Sequence, residues 1–200
     1  MNSSGRQSTA TPFFLDGPSG RLFAMSYLPD ATVQGRVLFC PPFAEEMNKS
    51  RRMIARASRA LADAGYTVLV VDPSGTGDSA GEFGDSTWQR WLDDLSFGLE
   101  YLRAEGDEPV CAWGLRLGAF LALELAVRHS GIIDRLVFWQ PVVSGSVYMT
   151  QFLRLKIAAQ MMGASAGLTT SSLRAEAEAG SVLEIAGYQL APELFGTIDR

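Results

Sequence analysis

The sequence predicts an α/β fold: a mostly parallel, twisted sheet with helices on both faces. Short, nearly continuous apolar runs at Arg36–Cys40, Tyr66–Val71, Val110–Trp113 and Asp134–Trp139 read as strands covered on both sides. Helical stretches separate them, and that alternation implies right-handed crossovers between parallel strands. The run beginning at Val110 ends in Gly114-Leu115-Arg116-Leu117-Gly118 and passes at once into an apolar helix, Ala119 to His129. A turn that sharp leaves no room for a Cβ on either side of its central residue, which is why glycine flanks it.

Taken in order, residues 1–11 are polar and are expected to be disordered. Pro12–Asp16 and Arg21–Leu28 form a hairpin about Gly17-Pro18-Ser19-Gly20. The buried strand Arg36–Cys40 leads into a loop, Pro41 to Glu46, because paired prolines forbid both helix and central strand. A helix from about Asn48 to Ala64 places Met53, Ile54, Ala57, Leu61 and Ala64 on one apolar face, with Gly65 at the left-handed position beyond its end. Tyr66–Val71 runs into the turn Asp72 to Phe83. Ser86 or Thr87 caps a helix from Trp88 to about Ala104 that turns Trp91, Leu95, Leu99 and Leu102 inward. Asp134–Trp139 is a further buried strand. Beyond Gly145 the alternation stops. An apolar helix spans Val147–Met162, a small-residue loop follows at 163–172, then a short helix at Leu173–Ala179, and a strand pair at Ser181–Ile185 and Gly187-Tyr188. The expected organisation is a disordered stretch at 1–11, a core at 12–145, and lid or cap helices with an incomplete C-terminal part at 146–200.

Composition bounds the function. With 17 Lys and Arg against 22 Asp and Glu, the net charge of −5 offers no basic patch for nucleic acid. No apolar run reaches the ~18 residues of a membrane span, and the polar N-terminus has no signal-peptide core. Cys40 and Cys111 read as buried free thiols. The single histidine, His129, rules out most histidine-based metal sites and reads as a cation at a helix C-terminus. No metal and no cofactor are expected. Gly75-Thr76-Gly77 lacks the spacing of a phosphate-binding loop and reads as a tight turn, with Asp78 and Ser79 bonding its own backbone.

Three strand–loop units in order resemble the α/β-hydrolases: Arg36 to Phe43, Asp72 to Gly81 with its Asp-x-x-Gly-x-Gly-x-Ser pattern, and the turn Gly114 to Gly118. The last resembles that family's nucleophile elbow, Gly-x-Ser-x-Gly. The stretch Pro41-Pro42-Phe43-Ala44-Glu45-Glu46-Met47-Asn48-Lys49-Ser50-Arg51-Arg52, joined to Gly114-Leu115-Arg116-Leu117-Gly118, is similar to the exosortase-A-system-associated hydrolases of the second type. That resemblance implies a cytoplasmic, cofactor-free protein of an exopolysaccharide or envelope pathway, acting on a small-molecule or acyl substrate by ester or acyl chemistry. It also places Phe43 and Leu117 where backbone N–H groups form the oxyanion hole, and Gly114 and Gly118 as the elbow glycines.

Two features depart from the pattern. Arg116 stands where the nucleophile belongs, and a guanidinium has no nucleophilic lone pair at neutral pH. No histidine follows a last strand, and two strand–helix units expected after the lid are not found, so the 200 residues are read as a fragment or a shortened member. Arg116 therefore keeps three readings: pairing with Glu45, Glu46 or Asp72; holding an anion together with the free N–H groups of the helix start; or stabilising charge while another group attacks. Two functions follow, an acyl hydrolase or a non-catalytic binding or scaffold protein with an anionic ligand at Arg116. The Val147–Met162 helix, with Met149, Phe152, Leu155, Ile157, Met161 and Met162 on more than one face, packs on the body, on a partner protein or on an acyl chain.

Overall fold

The computed structural model describes residues 8–161 and 167–200. Its main sheet has six strands in the order β1-β2-β4-β3-β5-β6: β1 Thr9–Gly17, β2 Gly20–Leu28, β3 Gly35–Cys40, β4 Tyr66–Val71, β5 Val110–Leu115 and β6 Ile133–Trp139. The β1–β2 hairpin is antiparallel and β2 joins β4 antiparallel; β4, β3, β5 and β6 are mutually parallel. The expected α/β architecture is therefore present as a mixed, mostly parallel sheet. Strand β1 begins at Thr9, where disorder was expected to reach Thr11, because Thr9 to Thr11 pair with Ser26 to Leu28; residues 1–7 lie outside the described residues.

Helix α1 (Glu45–Asp63) packs on one face of the sheet, against a cluster that includes Val37, Phe39, Val68 and Trp113. It starts before the expected Asn48, so Glu45 and Glu46 form its acidic first turn, which suits the positive end of the helix dipole. Its buried face is Met47, Ser50, Ile54, Ser58 and Ala62, whereas Met53 is 52% exposed. Of the expected apolar face, Ile54 is buried and Ala57 and Leu61 pack against the cluster, while small serines take the part of the contact expected of Met53. Gly65 follows with φ +93°. On the other face lie α2 (Trp88–Ala104), capped by the Thr87 side chain, and α3 (Gly118–Arg128). Trp91, Leu95, Leu99 and Leu102 are all buried as expected.

Strand β6 departs from expectation. From Asp134 to Trp139 every residue is exposed, because no strand pairs with its outer edge among the described residues. Its apolar side chains suit a covered strand; its place in the sheet leaves them open. Cys40 is buried and Cys111 half-buried, and both thiols are free.

After β6 come α4 (Gly145–Met161), α5 (Thr170–Glu178), a two-stranded ribbon of β7 (Leu183–Ile185) and β8 (Tyr188–Leu190), and α6 (Pro192–Ile198). The proline-initiated α6 was not expected, and α5 starts at Thr170 through a Thr169–Ser172 capping box. Residues 163–166 of the expected 163–172 loop, and Met162, lie outside the described residues. Met149, Leu153, Leu173, Leu183, Leu190 and Leu194 are fully buried in the same core that α2 and α3 build on. Arg174 binds both Asp199 oxygens at 2.8 Å, the Ser146 carbonyl at 3.0 Å and Thr150 Oγ1 at 2.8 Å, tying α5 and the end of α6 to α4.

Candidate functional site

The C-terminal ends of the parallel strands meet in one place, and three of them end in strained backbone. Ala44 after β3, Arg116 after β5 and Gln140 after β6 have φ of +50°, +54° and +42°, a region that residues other than glycine seldom enter. The turn at Arg116 shows why glycines flank it. A Cβ on Gly114 would lie 2.5 Å from Ala119 Cα, and one on Gly118 would overlap the Cys40 and Pro41 carbonyls. The start of α3 is thereby pressed against the end of β3. The Arg116 backbone is stitched to β6, its N–H donating to the Trp139 carbonyl at 3.0 Å and its carbonyl accepting from Val142 N–H at 3.2 Å.

The Arg116 side chain, 31% exposed, donates from Nε to Glu46 Oε1 at 3.1 Å and makes a long contact of 3.4 Å from Nη1 to the Gln140 carbonyl. Its guanidinium carbon lies 5.7 Å from the centre of the Tyr148 ring, within cation–π range. Tyr148, on α4, donates its hydroxyl to the other Glu46 oxygen, Oε2, at 3.0 Å. Burial, reinforced by the Glu46 charge, pushes the Tyr148 phenol well above its ordinary range, so it remains a donor. Of the three acids expected near Arg116, Glu46 alone pairs with it. Glu45 bonds Lys49 at 2.8 Å, and Asp72 accepts from Arg51 Nη2 at 2.8 Å. Burial raises the Asp72 pKa in spite of that arginine.

Phe43 is 2% exposed, its ring centroid 5.1 Å from that of Phe152 and 6.2 Å from that of Tyr148. Among the described residues neither the Phe43 N–H nor the Leu117 N–H has a hydrogen-bond partner, and the two residues line one small void of about 10 Å³. A second cavity, about 180 Å³, opens over Arg116 between the β6–α4 loop and α4, walled by Pro141, Val142, Val143, Val147 and Tyr148 with Ser144 and Gln151. His129 lies at the far end of α3, about 16 Å from the turn for an eleven-residue helix; its Nε2 contacts Ser96 Oγ at 2.8 Å. Ser79 bonds the Asp72 carbonyl and accepts from Phe23 N–H, as expected of a turn residue. Among the described residues no group of His, Cys, Asp and Glu could hold a metal, and no helix is long and apolar enough to cross a membrane.

The model of the family Hydrolase_4, serine aminopeptidase S33, matches residues 12–180. The chain belongs to this family. It is thus an α/β-hydrolase-superfamily protein. A relative, the uncharacterised protein RP471 of Rickettsia prowazekii (strain Madrid E), is 27% identical over 145 residues, covering 70% of this chain and 59% of the relative. Among solved structures, the Xanthomonas campestris protein XC6422, an α/β serine hydrolase without lid, is similar at 27% identity and a TM-score of 0.55, over 64% of this chain and 60% of that one. The chain therefore spans about three fifths of the length of both. A putative hydrolase from Agrobacterium vitis S4 shares the fold at a TM-score of 0.60 and 19% identity, covering 98% of this chain and 73% of its own.

Tyr148 escaped the sequence reading. It lies in a helix read by its apolar residues, and nothing local marks a tyrosine whose partner is 102 positions earlier.

Proposed function

We propose that this protein is a hydrolase-fold member of the exosortase-associated type, in an exopolysaccharide or envelope pathway, that holds an anionic ligand at its elbow through Arg116. One observation carries the reading. The apex of the β5–α3 turn, aimed out of the sheet by φ +54°, presents a partly exposed guanidinium to a 180 Å³ cavity. An arginine there cannot attack a carbonyl, but it is well suited to a carboxylate or phosphate. In this reading residues 12–145 are the core and 146–200 form a cap, with α4 as the lid, and the exposed Val147 and Leu155 of that helix are available to a partner protein.

A second reading, ester or acyl hydrolysis, is favoured by the unpartnered Phe43 and Leu117 N–H groups, the arrangement an oxyanion hole requires. Thermal-shift titration with inorganic phosphate, uronic acids and acyl carboxylates, beside a panel of activated esters, separates the two. Stabilisation by an anion that disappears in Arg116→Ala supports binding. Ester turnover that is present in the wild type and vanishes in Arg116→Ala would overturn it in favour of catalysis.

A further inference from the structure

Resting on the anion-binding reading, we infer that Glu46 is a built-in competitor for Arg116, and that the ligand it stands in for is a small monocarboxylate with a short apolar tail. Glu46 already supplies a carboxylate to the guanidinium through Oε1, and Tyr148 holds its second oxygen, so the resting site is occupied by the chain's own acid. Among the described residues Arg116 Nη2 makes no hydrogen bond, and Nη1 has one long contact. A forked carboxylate on both terminal nitrogens would therefore exchange weak contacts for strong ones. It would also lie beside the Glu46 charge, which favours Glu46 moving away.

The cavity sets the rest of the ligand. Its walls near Arg116 are Pro141, Val142, Val143 and Val147, and Val143 and Val147 are 90% and 59% exposed, so apolar surface waits at the mouth. At roughly 30 Å³ per water-sized group, a volume of about 180 Å³ takes about six heavy atoms. A free carboxylate of about six heavy atoms has four carbons, so butanoate fits. Inorganic phosphate would leave the apolar wall unused and would bring a second negative charge towards Glu46.

Tyr148 links this exchange to the cap. When Glu46 leaves Arg116, the Tyr148 hydroxyl loses its acceptor or follows it, and α4 is released from the first turn of α1.

The test is calorimetric titration with sodium acetate, butanoate, hexanoate and decanoate and with inorganic phosphate, on wild type, Glu46→Gln, Tyr148→Phe and Arg116→Ala, each checked for an unchanged melting profile. We expect affinity to rise by up to about fourfold per added methylene as far as butanoate and then to level off. Glu46→Gln should bind butanoate about tenfold tighter, Tyr148→Phe tighter by a smaller factor, and Arg116→Ala not measurably. Anions that bind wild type and not Arg116→Ala, but no tighter to Glu46→Gln, would overturn the competitor and leave the anion site standing. A preference for phosphate over butanoate would overturn the ligand class. Absence of binding by every probe to both wild type and Glu46→Gln would remove the anion site itself.

Discussion

Strands β3 and β6 carry almost the same local sequence, Arg-Val-Leu-Phe-Cys at 36–40 and Arg-Leu-Val-Phe-Trp at 135–139. Every residue of β3 is buried; from Asp134 onward every residue of β6 is exposed. Leu38 and Leu136 flank the same residue, Ala112 of β5, on the same face of the sheet, yet Leu38 is 0% and Leu136 37% exposed. Composition made both strands, and position in the sheet decided which one became core. Strand β3 has β4 and β5 beside it and helices on both faces; among the described residues β6 has a neighbour on one side only.

The sharpest test of the buried strand is the elbow that abuts it. Gly118→Ala drives a methyl into the Cys40 and Pro41 carbonyls, backbone that cannot swing aside. We expect a loss of about 4 kcal/mol or more, read as a collapse of the melting transition or of soluble yield; a loss under ~1 kcal/mol would mean that α3 does not press on β3. Leu38→Ala comes next, at about 3 kcal/mol by denaturant unfolding, the cost of a cavity in a sealed core.

Burial has its own cost on the covered side. Asp94, 0% exposed on α2, accepts the Ser74 N–H on Oδ2 at 2.8 Å, while its Oδ1 has no partner among the described residues. Burial raises its pKa, outweighing the Ser74 hydrogen bond. A carboxyl whose pKa is raised on folding stabilises most below its ordinary value near 3.8, and that contribution is lost as pH climbs through the folded value. Asparagine keeps an acceptor for Ser74 and does not titrate. The melting temperature of Asp94→Asn relative to wild type should therefore rise between pH 4 and pH 7. A flat difference would show that Asp94 is already solvated.

These contrasts explain what could be read from the sequence. Strand and helix types follow from side-chain periodicity, and Gly114 and Gly118 are required by a turn with no room for a Cβ, so the sheet and the elbow were legible. Glu46 was named among three acids because it lies close in sequence to the β3 loop. Choosing it over Asp72 needed the knowledge that Arg51, one turn further along α1, had taken Asp72. Tyr148 and the openness of β6 depend on which distant segment packs where, and no local pattern encodes that. Met53 was misplaced for a subtler reason: Ile54, Ala57 and Leu61 do face the sheet, but serines at 50 and 58 complete the buried face, and hydrophobicity alone does not mark them.

The smallest expected effect is the most discriminating. Leu136→Ala removes the same atoms as Leu38→Ala, beside the same Ala112, from a side chain already 37% exposed. Little apolar surface returns to water and solvent fills the space, so the loss should stay within about 1 kcal/mol. Ordinary denaturant unfolding measures it beside the Leu38 variant. A loss near 3 kcal/mol would break the contrast, because it requires β6 to be covered in solution. Repeating the measurement over a hundredfold range of protein concentration then identifies the cover: a second copy of the chain makes the loss concentration-dependent, whereas a cover belonging to the same molecule does not.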